Sequence, residues 1–368
     1  MNIGKVKKYM VYDYSRKTSE DFDSGETSFL RDNEFQKKFF AFTSLAYNPI
    51  DGFLYCGMTN FGNDLLYRFD PVTKALEGMG YADASFGDRF DIKLHRSVEI
   101  DSQGVLYCAT SCLHNVDQRL EGTGGKVFTF DPSTKKYELL SIPKKYDYIQ
   151  TISLDEKRKM VYGFTYPVFE FFAFSLEKKD VVFSNYMASI PHISAVDDRG
   201  GYWGTWGQRM HKLFRYNPET NNVTYYAHGF PEGCQSLMYP NAGPIDSAIN
   251  GGDGFLYFGT ELGILYRLNP ANGELEFLGK PFPGIRMPGL IAGDDGLLYM
   301  VGGADRGVFV AAYDRNERKF FHLGAVQEEE GAHCFRPHDI EKIGNMLYIG
   351  ETDHPTRTCY LWECTLNP

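Results

Sequence analysis

The chain has 368 residues, with 38 Lys and Arg against 48 Asp and Glu, a formal net charge of -10, 15% aromatic residues and 38 glycines. An acidic chain of this kind lacks the broad basic face that nucleic acid or an anionic membrane surface requires, and no run of about 18 apolar residues is present to span a bilayer. Abundant aromatics and glycines suit many short strands joined by tight turns.

The first β-prone run is KVKKYMVYDY at 5 to 14, which precedes everything that repeats. From residue 43 to 366 a degenerate module then recurs seven times. Its first half is a hydrophobic strand ending in an aromatic and small residues: FLYCG (53–57), VLYCAT (105–110), MVYGFT (160–165), YWGTW (202–206), FLYFGT (255–260), LLYMVG (297–302) and MLYIGE (346–351). The second half is another strand that usually closes on Asp-Pro or Asn-Pro, as in LLYRFDPVT, KVFTFDPST, KLFRYNPET and ILYRLNPAN. A third short strand such as ELEFLG or KFFHLG usually follows.

The anchor aromatics Tyr55, Tyr107, Tyr162, Trp203, Tyr257, Tyr299 and Tyr348 recur at the spacing of four-stranded propeller blades, about 40 to 55 residues. A blade can bury its faces only by stacking on its neighbours, so seven must close into a ring. The sequence therefore predicts an all-β fold, a seven-bladed β-propeller in which residues 1 to 368 form one domain. The last module stops at Leu366 with three strands, and residues 5 to 14 are expected to supply its outer strand, paired with the strand that contains Trp362.

Of the seven cysteines, Cys56, Cys108, Cys359 and Cys364 fall within or beside hydrophobic strands and are expected to be buried thiols. Cys108 and Cys112 have no second pair at zinc-finger spacing, which argues against a structural zinc. The opening MNIGKVKKYMVYDYSRK has no apolar signal-peptide stretch, so a cytoplasmic location is expected.

Propellers carry function at one end of the central channel, which lets the modules be superposed to find a site. Counting back five positions from the turn that ends each innermost strand gives Thr43, Arg96, Gln150, His192, Ile245, Pro288 and, with a shorter turn, His338. Just upstream lie His95, Tyr148, Asp246, Arg286, His333 and Arg336. The opposing loops add His114, Tyr166, Gln208, Arg306, Asp353, His354 and Arg357. Six of the nine histidines fall in this set, whereas Asp101, Asp155 and Asp197 read as turn formers and the recurrent Arg68, Arg215 and Arg267 as scaffold.

Several His, a Tyr and several Arg without an evident carboxylate pair point to β-elimination from a uronic acid, because glycoside hydrolysis ordinarily needs two acidic groups. In elimination an Arg neutralises the substrate carboxylate, a His or Tyr removes the adjacent proton, and another group delivers a proton to the leaving oxygen. His192, His338, His95 and Tyr148 are the candidates for proton transfer. Arg96, Gln150, Arg336, Arg306 and His354 are the candidates for holding an oligosaccharide substrate.

The repeats DGFLYFGT…ILYRLNP and DGLLYMVGG resemble those of seven-bladed propeller lyases, among them the streptogramin B lyases and the propeller polysaccharide lyases that act on ulvan or oligogalacturonide. The resemblance covers the whole chain. It implies lyase chemistry carried by His, Tyr and Arg at the channel mouth, sometimes with a divalent metal. Two other readings stay open. One is a glycoside hydrolase that depends on His, or on Mn, Zn, Fe or Ca held by histidines from different blades such as His192 and His338. The other is a non-enzymatic propeller that binds a glycan or a protein through aromatics such as Phe40, Phe42, Trp206 and Phe335.

Overall fold

The computed structural model describes residues 1–15, 33–62, 64–112, 116–208, 210–230, 243–304 and 307–367. They form seven four-stranded antiparallel sheets, the blades of a β-propeller. Six blades are continuous in sequence. The seventh takes three strands from the end of the chain and its outer strand, Asn2–Tyr9, from the beginning.

That outer strand pairs antiparallel with Leu361–Asn367, with Lys8 opposite Trp362 and Asn2 opposite Asn367. The expected segment is thus shifted towards the N-terminus: it begins at Asn2 and ends at Tyr9. Asn and Gly weaken the strand signal over residues 2–4, yet a register irregularity between Ile3 and Val6 lets the edge accommodate them. Residues beyond Tyr9 leave the sheet. Tyr12 sets its ring edge-on to Phe40 at 4.9 Å, and Ser15 bridges to Arg357.

The core is divided among the blade interfaces, each filled by one apolar cluster. Phe42 and Phe69 of blade one meet Tyr348 and Leu361 of blade seven, and Tyr55 meets Leu106 and Phe128 of blade two. Val127 meets Ile152 and Phe172, and Tyr162 meets Tyr202 and Phe214. Trp203 meets Leu256, Tyr257 meets Leu298, and Tyr299 meets Leu347 and Trp362. The repeated aromatics are therefore interface residues, each stabilising the ring by about 1.5–3 kcal/mol on full burial. Their polar ends are satisfied locally: Tyr55, Tyr257 and Tyr299 donate to Asp51, Asp253 and Asp295 at 2.6–2.8 Å.

Recurrent arginines are scaffold, as expected. Arg68 and Arg267 pair with Glu77 and Glu276 and lie 4.2 Å from the rings of Phe53 and Phe255. Cys56, Cys108, Cys359 and Cys364 are buried free thiols, as are Cys112 and Cys334.

Innermost strands line the channel and carry one unpaired edge, whose main-chain groups need partners. Side chains of adjacent blades supply them. Thr43 Oγ1 donates to the Leu94 carbonyl at 2.8 Å, Thr151 Oγ1 to Arg96 at 2.9 Å and Ser247 Oγ to Met287 at 2.6 Å. Asp339 and Glu341 accept from the main-chain nitrogens of Leu45 and Tyr47 at 2.8 and 3.2 Å. Small hydroxyls and acids on these strands thereby tie blade one to two, two to three, five to six and seven to one.

Candidate functional site

The register of each innermost strand is set by its anchor aromatic. Ala46, Glu99, Ser153, Ala195, Ile249, Ile291 and Glu341 stand opposite Tyr55, Tyr107, Tyr162, Trp203, Tyr257, Tyr299 and Tyr348. Stepping back from these by equal distances along the chain gives the ring Thr43, Arg96, Gln150, His192, Asp246, Pro288 and His338. Asp246 therefore replaces Ile245. Counting from the turn misplaced it because the turn of blade five, Asn250 to Leu256, is longer than that of blade one, Asn48 to Phe53.

In blades one, three, five and seven the ring residue is itself the irregularity, since registers shift across Thr43, Gln150, Asp246 and His338. A bulge leaves one residue unpaired and re-aims its side chain. In blade two the ring residue precedes the strand, and Arg96 holds a left-handed φ of 49°.

Three of the expected residues meet on the channel axis. The ring centroids of His95 and His192 are 4.8 Å apart, those of His95 and His338 also 4.8 Å, and those of His192 and His338 5.7 Å. One nitrogen from each ring lies within 4.8 Å of those of the other two, and all three side chains are buried. Each Nδ1 is engaged. That of His95 lies 2.7 Å from the Gln150 carbonyl, that of His192 lies 2.9 Å from Asp246 Oδ1, and that of His338 accepts from Arg96 Nε at 3.1 Å.

Asp246 organises one side of the cluster. Besides His192 it accepts from Arg286 Nη2 at 2.7 Å, Arg286 Nε at 3.2 Å and the Met287 main-chain nitrogen at 3.0 Å. Burial alone would raise its carboxyl pKa, but Arg286 and His192 outweigh burial and hold it well below the usual carboxylate range. Burial is also the leading effect on the imidazoles. It lowers His192 to about 4 despite the opposing pull of Asp246, and it lowers His95 and His338 well below 6.5, reinforced by Lys93 and Arg96 respectively. Three neutral imidazoles converging in this way could hold a divalent metal ion.

Arg96 joins the cluster from the adjoining channel wall, 3.9 Å from Asp339, and its Nη2 is buried without a hydrogen-bond partner among the described residues. It lines a channel cavity of about 520 Å³ shared with Glu99, Asp339 and Glu341. Burial, with Asp339 adding to it, pushes Glu99 up to about 8, and burial pushes Glu341 up to about 7. Sequence reasoning missed these acids. The available signal was Glu99 and Glu341 standing opposite anchor tyrosines, where blades one, three and four carry Ala46, Ser153 and Ala195.

Of the remaining candidates, Gln150 touches the cluster through its main chain and the others described lie elsewhere. Tyr148 packs with Phe90 and Cys112 in an apolar cluster, and burial raises its phenol pKa, so it belongs to the packing beside blade three and not to the imidazole cluster. Gln150 contributes its main-chain carbonyl to His95. Arg336 lies 5.1 Å from the ring of Phe335, which contacts His354 at 4.9 Å, so these two candidates form a separate group on the loops of blade seven. Burial, then Arg357, lowers His354 to about 3. Arg306 and His114 fall outside the described residues.

No protein-family model matches the sequence, and no curated protein matches it. Solved structures share the fold. A catalytically inactive His-to-Ala variant of virginiamycin B lyase from Staphylococcus aureus, solved with quinupristin, superposes with a TM-score of 0.63 at 11% identity over 99% of this chain and all of that one. The WD40 repeats of RRP9 give a TM-score of 0.63 at 9% identity over 99% of this chain and 98% of theirs. The extracellular domain of a hybrid two component system from B. thetaiotaomicron gives 0.58 at 12% identity over 88% of this chain and 38% of that one. At these identities the likeness establishes the fold alone. No helix among the described residues is long and apolar enough to cross a membrane.

Proposed function

We propose that the chain is a carbon–oxygen lyase that cleaves a uronate-containing oligosaccharide by β-elimination at the cluster of His95, His192 and His338. The observation that carries this reading is a set of buried, neutral imidazoles with a buried guanidinium beside them, whose hydrogen-bonded acid, Asp246, is taken up by Arg286 and His192. Hydrolysis through two carboxyl groups would draw instead on Glu99, Asp339 and Glu341 along the adjoining cavity, away from the imidazoles.

In the proposed reaction Arg96 directs its unpartnered Nη2 at the uronate carboxylate, lowering the cost of negative charge at the adjacent carbon. His192, oriented by Asp246, takes the proton from that carbon. The electron pair of that C–H bond forms the carbon–carbon double bond, and the bond to the leaving oxygen at the next carbon breaks as that oxygen takes a proton from solvent water. Support also comes from the fold likeness to a lyase that a single histidine substitution leaves catalytically inactive.

The test is incubation with uronate-containing oligosaccharides while following the ultraviolet absorbance of an unsaturated product. The parent should produce it. His192→Ala should lose about 10² to 10⁴ in rate while keeping its circular dichroism spectrum. Cleavage without a carbon–carbon double bond replaces this reading with hydrolysis, and binding without cleavage replaces it with a glycan-binding propeller.

Convergence of the three ring nitrogens favours a second, metal-assisted version of the same reading. His95, His192 and His338 would hold the ion, which would supply Lewis-acid polarisation of a substrate oxygen. Full activity after exhaustive chelation would remove it.

A further inference from the structure

We infer that the three imidazoles are of two kinds: His95 and His192 present Nε2 lone pairs, whereas Arg96 fixes His338 as a neutral ring with its proton on Nε2. The assignment follows from what each Nδ1 faces. For His95 the partner is a carbonyl oxygen, which can only accept, so Nδ1 carries the proton and Nε2 is left bare. For His192 the partner is the Asp246 carboxylate, which two Arg286 donors and the Met287 nitrogen hold ionised and which can then only accept, so again Nδ1 donates. His338 is reversed. Its Nδ1 faces the Nε–H of a guanidinium, which has no lone pair to offer, so Nδ1 accepts and the proton of the neutral ring sits on Nε2.

Arg96 is held in place to do this. Its carbonyl accepts from Ile152 N and Thr151 Oγ1, its nitrogen donates to the Thr43 carbonyl at 3.4 Å, and its side chain is almost wholly buried. A protonated His338 would set two N–H groups against each other in a site without water-like screening. His338 is therefore neither the base nor a ready metal ligand, but a neutral hydrogen-bond donor to charge that develops on a substrate oxygen. Neutral imidazoles can serve as electrophiles in this way. That role rests on the proposed lyase reaction; the tautomers do not. In this respect Arg96 is a positioning residue acting through His338.

Long-range proton–nitrogen correlation spectra of isotope-labelled, metal-free, full-length protein at neutral pH test the assignment without any substrate. Signals are assigned by loss in His95→Gln, His192→Gln and His338→Gln. The expected result is a protonated-type nitrogen at Nε2 of His338 and at Nδ1 of His95 and His192. A proton on Nδ1 of His338, or on Nε2 of either other ring, overturns the inference. In Arg96→Met the single-tautomer pattern of His338 should give way to a mixture; an unchanged pattern would remove Arg96 as its cause. Should that variant not fold, the parent spectrum still decides the tautomers. A missing unsaturated product would refute the lyase reading and leave these spectra untouched.

Discussion

Asp246, wholly buried, accepts from His192, Arg286 and the main chain of Met287 at once. Asp246→Ala would leave the Arg286 charge without its partner, and a loss of about 3–5 kcal/mol in urea unfolding is expected. Pairing it with Arg286→Met should restore part of that loss, since both charges then go together. The same residues predict acid sensitivity. His192 takes its proton near pH 4 when folded, against an ordinary value of 6.5. Between those values the unfolded chain holds more protons, so stability falls as pH falls, by about 1.4 kcal/mol per pH unit for each such histidine. Asp246 acts in the same direction further down, because a carboxyl held low contributes stability above the ordinary carboxylate range and loses it on acidification. Glu99 and Glu341, raised to about 8 and about 7, act in the opposite direction over the same range, so the histidine contribution is read by difference: the change in unfolding free energy between about pH 7 and about pH 5 should differ between the parent and His192→Gln, and an identical change would contradict this account.

At the level of elements, the outer strand Asn2–Tyr9 closes the ring without a covalent link. Ile3 and Val6 pack on the cluster shared by blades six and seven, and Lys8 pairs with Glu328 at 2.5 Å across the interface. Ile3→Ala with Val6→Ala is expected to cost about 2–3 kcal/mol, less than two full core truncations because both side chains are half-buried. Deleting residues 1–9 should bare the edge of Leu361–Asn367 and drive association, visible by light scattering; an equally stable monomer would show that the clasp is dispensable. The blades were legible because the anchor aromatics recur with their turns, and each proves to be an interface residue. Bulges were not legible. An extra residue leaves no trace in a two-residue alternation, and turn length varies from blade to blade, so counting from the longer turn of blade five put Ile245 where Asp246 belongs. Tyr148 and Arg336 shared the sequence neighbourhood of the site, but a strand end and a loop aimed them elsewhere.

For the whole molecule, closure of seven blades is what brings His95, His192 and His338 together from blades two, four and seven and removes them from water. That burial sets a further prediction for the metal-assisted version. A divalent ion competes with protons for imidazole, so exposed histidines lose affinity for it once the pH drops below their ordinary value. Here burial keeps the rings neutral to lower pH, with His192 depressed to about 4. The affinity for Zn²⁺, measured by competition with a chromophoric chelator, is expected to hold nearly constant from about pH 7 to about pH 5.5. To use all three rings the ion must also break the bond from Arg96 to His338, so Arg96→Met should bind it more tightly than the parent, both by freeing that ring and by removing a positive charge. An affinity that falls about tenfold per pH unit for each ligand from 6.5 downward would mean that the bound histidines are not these buried three. If Zn²⁺ neither binds nor raises the melting temperature at any pH in this range, the metal-assisted version fails, and the chemistry of the cluster must rest on its own lone pairs, its one N–H donor and the guanidinium beside them.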